Sequence, residues 1–285
     1  MADRRTLASK VSAKGVTLHT GVPAGLHLWP APVDAGIRFR RTDLPGTSDI
    51  PALWSHVAER RLGTVLRNDD GASVGMVEHL LAALAGAEVD DCLIEVDGPE
   101  PPVLDGDALS YLALIDRAGT TIANAAREGI VLRRTVEAAS DAASAKLLPS
   151  ERTEYFVEID FASAAIGRQS FGCILTPDVF RREIAPAHTF GFLHEAERLR
   201  KLGYGRGADL TNTLVIDRDA LINPELKRFP DEYVRHKILD AIGDLKLAGM
   251  PICARYEGRR PSHTLNNQLL HALFADPANY EIVAP

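Results

Sequence analysis

Ile238-Leu239-Asp240-Ala241-Ile242, late in the chain, echoes Leu80-Leu81-Ala82-Ala83-Leu84 near its start. Each run has the apolar spacing of a helix, and each leads after a short gap into a strand-like run, at residues 92–96 and 252–256. Working outward, the order of elements also repeats. Short β-like segments at 25–29, 36–41 and 64–67 precede the first run, and segments at 130–136, 155–161 and 171–175 precede the second. The spacing of Met76, Val77, Leu80, Leu81 and Leu84 predicts a helix opened by Ser73 as N-cap and closed by Gly86. A second helix is expected over 108–118, between an Asp107 cap and Gly119, a long one over about 231–247, and a last one from His263 with Leu265, Leu269, Leu270, Leu273 and Phe274 inside. The Ala/Ser-rich stretch 138–145 reads as an exposed turn. This is a weak internal duplication, giving an α+β fold of two domains, 1–126 and 127–285, with the boundary in the polar stretch 125–128.

Composition narrows the function. The 285 residues suffice for two domains at about 150 each. With 46% hydrophobic and 25% charged residues the chain is neither disordered nor fibrous. The charge balance, 32 − 39 = −7, argues against non-specific nucleic-acid binding, which draws its affinity from phosphate neutralisation. Cys92, Cys173 and Cys253 are far apart, without a CxxC spacing, and each falls in a strand-like run, so buried reduced thiols are expected. The first residues lack the apolar core of a secretory signal and no run of about 18 apolar residues occurs, so the expected setting is the cytoplasm, without stable membrane insertion. Two complete domains require no partner, so a monomer is expected.

Chemistry concentrates on the long helix. His236, Asp240 and Asp244 are spaced i, i+4, i+8 and project from nearly one face. A His and an Asp one turn apart can both reach a divalent ion, although the same spacing also suits a solvated helix face. In the first half, Glu78 and His79 interrupt an otherwise apolar helix start, where burying them unpaired would be costly. If that start packs against the long helix, His79 supplies a third ligand and Glu78 a base for a water proton. His263, at the start of the last helix, is a candidate general acid, with Asp244 opposing its charge.

These segments together resemble the UDP-3-O-acyl-N-acetylglucosamine deacetylases, zinc amidases of lipid A biosynthesis. The resemblance spans nearly the whole chain. It rests on Gly15-Val16-Thr17-Leu18-His19-Thr20-Gly21, Arg40-Arg41-Thr42-Asp43-Leu44, Val77-Glu78-His79-Leu80, Asp105-Gly106, Thr189-Phe190-Gly191-Phe192, the run from Val234 to Leu245, and His263-Thr264-Leu265-Asn266-Asn267. It implies Zn2+ on His79, His236 and Asp240, a site that also accepts Fe2+. It further implies Glu78 as base, His263 as acid oriented by Asp244, Thr189 at the oxyanion, Lys237 near the site, Phe190 against the substrate, and Asp160 and Phe161 near the nucleotide. The implied fold packs each sheet against two helices, with the site between the domains. The implied partner is a UDP-linked acylated glucosamine, whose lipid chain is compatible with peripheral membrane contact.

The chain departs from the family pattern in several places. Arg260-Pro261-Ser262 replaces Lys-Ser-Gly; Arg260 keeps a positive charge for a phosphate, while Ser262 is expected to be strained by about 1–2 kcal/mol if the glycine it replaces has φ > 0. Ala143 or Ser144 stands where the family often has a lysine, with Lys146 nearby, and His188 replaces an arginine. Gly63 falls in the region that family members use near the acyl chain. These departures leave room for a second reading, a UDP-sugar-binding paralogue without turnover, and for a third, a zinc hydrolase of another N-acyl sugar.

Overall fold

A computed structural model describes residues 3–58 and 62–284. Its two halves build the same frame. In the first, Cys92–Val96 lies between two hairpins, antiparallel to Pro23–Pro30 of one and parallel to Ile37–Arg41 of the other. In the second, Ile252–Arg259 takes the equivalent place, antiparallel to Ala143–Pro149 and parallel to Glu154–Asp160. The α-helices among the described residues are α1 (Glu78–Gly86), α2 (Leu109–Ala118), α3 (Pro177–Val179), α4 (Leu193–Lys201), α5 (Glu232–Lys246) and α6 (His263–Phe274). Each central strand follows one helix and precedes another: α1 and α2 in the first half, α5 and α6 in the second. The chain is thus α+β, and the weak echo between residues 80–84 and 238–242 corresponds to equivalent helices of a repeated topology.

Both halves carry an insert between the second hairpin and the helix. The first is a small antiparallel sheet of Val57–Ala58, Val65–Arg67 and Ser73–Gly75. The second holds α3, α4 and the strands Phe190–Phe192, Leu214–Asp217 and Ala220–Leu221. Among the described residues no strand before 127 pairs with one after it, and Asp3–Leu7 pairs with Thr120–Ala126.

Helix α1 meets α5 at close range. Leu80, Leu81, Leu84, Ile238, Leu239 and Ile242 are buried in one continuous apolar cluster, and each such side chain contributes roughly 1.5–3 kcal/mol on leaving water. The contact tightens at Gly243, where an added Cβ would lie 1.9 Å from the Glu78 carbonyl oxygen. That approach brings the first turn of α1 onto the middle of α5, and with it the ionisable groups of both.

Three expectations are corrected. The first helix begins at Glu78 rather than Ser73, because Met76 has φ 53° and Ser73–Gly75 is spent in the ladder with Val65–Arg67. Residues 138–145 are a hairpin rather than an exposed turn: Val136–Ser140 pairs with Ala143–Pro149, and Ala138 and Ala145 alternate into the core. The expected strand 130–136 divides into Gly129–Leu132 and Val136–Ser140, which pair with different neighbours. The N-cap of α2 is Ala108, and Asp107 just before it supplies the side chain, its Oδ1 accepting the Ser110 N–H at 3.0 Å; Gly119 (φ 68°) follows the last turn. All three cysteines are free and lie on strands, Cys92 buried and Cys173 and Cys253 half-buried. Burial pushes the Cys92 thiol up to about 12.

Candidate metal centre and active site

Periodicity on α5 does what its spacing predicts. His236, Asp240 and Asp244 share a face and are all buried, an arrangement tolerated only because each finds polar partners. His79, brought in by the first turn of α1, completes a group with His236 and Asp240 in which one donor atom from each lies within 4.8 Å of the others. The Nε2 atoms of His79 and His236 stand 3.6 Å and 3.4 Å from Asp240 Oδ1. The two rings are almost perpendicular, 4.9 Å apart.

Tautomer and charge suit a cation. Nδ1 of His236 donates to the Ala187 carbonyl at 3.0 Å, which leaves Nε2 as a lone-pair donor toward Asp240. Burial lowers the His236 pKa to about 4, so the ring is neutral at physiological pH. Burial opposes the charge of Asp240 too, but Lys237 and His236 outweigh it and hold the carboxyl well below the usual carboxylate range. Lys237 Nζ reaches Asp240 Oδ2 at 2.7 Å. Two imidazoles and one carboxylate, all buried, form a donor set of the kind zinc takes in catalytic sites.

Glu78 and His263 flank this group. Glu78 is 1% exposed, and burial raises its pKa. Its Oε2 accepts the Thr64 N–H at 3.0 Å, and its Oε1 stands 3.7 Å from His263 Nε2. The other ring nitrogen of His263 meets Asp244 Oδ2 at 2.8 Å. Burial works against the imidazolium, yet Asp244 and Glu78 prevail and raise the His263 pKa to about 10. Asp244 also accepts the Thr64 hydroxyl at 2.6 Å and the Asn266 amide at 2.8 Å, and Tyr256 donates to Asn266 Oδ1 at 2.6 Å. Glu78, His263 and the His79, His236 and Asp240 group therefore share the wall of one cavity of about 720 Å³.

The family model of the UDP-3-O-acyl N-acetylglycosamine deacetylases matches residues 4–275. The chain belongs to this deacetylase family. It is 43% identical over 281 residues to the UDP-3-O-acyl-N-acetylglucosamine deacetylase of Myxococcus xanthus, covering 99% of this chain and 89% of that protein. It is similar to the protein of the same name from Phenylobacterium zucineum, at 43% identity with 98% and 96% covered, and to that of Helicobacter hepaticus, at 37% with 99% and 93% covered.

The remaining candidate residues are placed unevenly. Thr189, Phe190, Phe161 and Lys237 line the cavity. Phe161 and Phe190 meet edge to face at 5.7 Å, and the Thr189 N–H is fixed by the Gly106 carbonyl at 2.9 Å. Asp160 is exposed at the end of its strand, away from the cavity wall, opposite Arg168. Arg260 is also exposed and borders a separate shallow groove with Ser140, Ala143 and Ser262. The cavity continues between apolar side chains of the second insert, among them Phe192, Leu199, Val215 and Ile222.

The sequence departures find local explanations. Ser262 is not strained: its φ is −140°, and its hydroxyl caps α6 by accepting the Leu265 N–H at 3.3 Å. The left-handed residue is Arg260, with φ 49°. His188 is fully buried, its Nδ1 donating to Glu232 at 2.7 Å, so it ties the approach to Thr189 to the start of α5. Lys146 pairs with Glu137 across the hairpin at 3.2 Å. Gly63 lies on the cavity wall with φ 68°, where a Cβ would come 2.3 Å from Met76 Sδ. Sequence reasoning missed Thr64, Asn266 and Tyr256, single polar residues whose roles arise only from contacts between distant segments.

Proposed function

We propose that this chain hydrolyses the N-acetyl amide of a UDP-3-O-acyl-N-acetylglucosamine, releasing acetate and the free glucosamine amine at the committed step of lipid A biosynthesis. The observation that carries the reading is the buried His79, His236 and Asp240 donor set with Glu78 and His263 beside it in one cavity. The two units would be 1–126 and 127–285, with the reaction centre where α1 meets α5. The reaction belongs to the cytoplasm, and no helix among the described residues is long and apolar enough to cross a membrane. A monomer suffices, since every proposed group comes from one chain.

His79, His236 and Asp240 would hold one Zn2+, or Fe2+ in its place. Bound there, the ion supplies Lewis-acid chemistry, polarising an oxygen and lowering the pKa of a water toward about 7. Glu78 takes the proton of the attacking water; its burial makes it a stronger base than an exposed carboxylate. His263 holds a proton at neutral pH and delivers it from Nε2 to the departing nitrogen, which an amide needs because its amine is otherwise a poor leaving group. Asp244 keeps that ring oriented through Nδ1. Thr189 offers its hydroxyl to the oxygen on which negative charge develops, and Lys237, held beside Asp240, adds positive charge. Phe190 lies against the sugar, while Phe161, Asp160 and Arg260 serve the uridine diphosphate side. The apolar passage of the second insert takes the acyl chain.

Acetate release from UDP-3-O-acyl-N-acetylglucosamine, measured before and after chelation and again after zinc is restored, tests the proposal. Chelator-sensitive release that returns with zinc supports it. A folded, zinc-loaded protein without release overturns it.

A further inference from the structure

Thr64 touches both proposed proton-transfer arms at once. It is 4% exposed and follows Gly63, a left-handed residue whose missing side chain lets the loop approach Glu78: a Cβ there would stand 3.0 Å from Glu78 Oε1. From this position the Thr64 N–H donates to Glu78 Oε2 at 3.0 Å, while its hydroxyl donates to Asp244 Oδ1 at 2.6 Å. The second contact joins residues 180 positions apart in the chain. Asp244 is met from all sides by donors, because its other oxygen takes His263 Nδ1 and Asn266 Nδ2, each at 2.8 Å.

We propose that Thr64 is a positioning residue that fixes the Asp244 carboxylate, and through it the His263 ring, in register with Glu78. The inference rests on the deacetylase reading for its catalytic consequence, though not for its geometry. A carboxylate is planar and turns about its Cβ–Cγ bond. With one oxygen held by Thr64 and the other by Asn266, that rotation is blocked, and the His263 Nδ1 contact is aimed from a fixed point. Without the hydroxyl, Oδ1 loses a buried partner and the plane is free to tilt toward one. A misplacement of about 1 Å in such a relay can cost on the order of 100-fold in rate.

Thr64→Val removes the hydroxyl and keeps both the shape and the backbone N–H to Glu78. The expected result is a fall in kcat of about 10- to 100-fold with KM within about twofold and zinc content unchanged. Thr64→Ser restores most of the rate, and Thr64→Ala repeats the loss with less steric demand should the valine fold poorly. In an Asp244→Ala background Thr64→Val costs little more, because the partner through which it acts is gone. In metal-free protein labelled with 15N-histidine, the His263 Nδ1–H resonance moves in Thr64→Val and not in Thr64→Ser, whether or not the chain has deacetylase activity. Absent turnover in the parent protein overturns the deacetylase reading, while the resonance still judges Thr64. Parent-like kcat with an unmoved resonance, or a loss that persists undiminished in the Asp244→Ala background, overturns the inference.

Discussion

Asp244 Oδ2 lies 2.8 Å from His263 Nδ1, while the far nitrogen of the same ring faces Glu78. The contact joins the last turn of one helix to the first residue of the next, and it sets the proton affinity of the ring. Asp244 and Glu78 raise the His263 pKa against the effect of burial. In metal-free Asp244→Ala protein, the pKa of His263 followed by NMR should therefore fall from about 10 by roughly 1–2 units. An unchanged titration would show that Asp244 does not hold the proton there.

The ligand and base roles separate by substitution. His236→Ala and Asp240→Ala should lose zinc on dialysis against a weak chelator, since each removes one of three protein donors. Glu78→Ala should keep zinc and lose about 10²- to 10⁴-fold in rate. Metal analysis beside the rate assay checks both, and loss of zinc from Glu78→Ala would contradict the division of roles.

Gly243 is the point of closest approach between the helices. Gly243→Ala would force its Cβ against the Glu78 carbonyl oxygen, 1.9 Å away in the present packing. The helices must then separate, at a cost of about 1–3 kcal/mol or more. Urea denaturation should show a lower midpoint, with reduced zinc affinity because His79 retreats from His236 and Asp240. A parent-like midpoint would mean that the crossing yields without cost.

Lys246 lies buried at the end of α5, its Nζ donating to the Val89 carbonyl at 2.8 Å. Burial lowers its pKa to about 8, from the 10.5 of an exposed lysine. Between those values the unfolded chain binds more protons than the folded one, so this residue's contribution to stability rises with pH across that window. Below about pH 8 the side chain is charged in both states and the full penalty of burying the charge applies. Relative to Lys246→Met, the parent protein should gain about 3 kcal/mol between pH 8 and 10.5. Parallel unfolding curves of the two proteins across this range would refute it.

What the sequence discloses depends on whether a residue belongs to a period. His236, Asp240 and Asp244 are legible because a helix repeats every 3.6 residues, and Glu78-His79 because two ionisable groups break an apolar run. The start of α1 is not legible because residues 73–77 fit that same period, while Met76 adopts a left-handed conformation that no pattern marks. The hairpin at 136–149 is hidden by its small residues, which signal a turn even though Ala138 and Ala145 alternate into the core. At Ser262 the comparison with glycine misleads, since the serine is extended and its hydroxyl caps a helix. Thr64 and Tyr256 carry no local signal, and Asn266, although it stands in the quoted motif at 263–267, gives none of its role: their partners are set by the approach of the halves and by the turn before α6.

Superposing the two echoing runs sets Ala82 opposite Asp240 and Gly86 opposite Asp244. A Cβ on Gly86 would lie 2.0 Å from the Phe180 ring, so the stretch of α1 that corresponds to the acid-bearing end of α5 is filled by an aromatic side chain. The repeat seen in the strand topology is consequently not carried through to the helix faces. On α1 this face is given over to packing, with Glu78 and His79 at its first turn, so that among the described residues the doubled frame gathers one His/Asp donor group, at His79, His236 and Asp240.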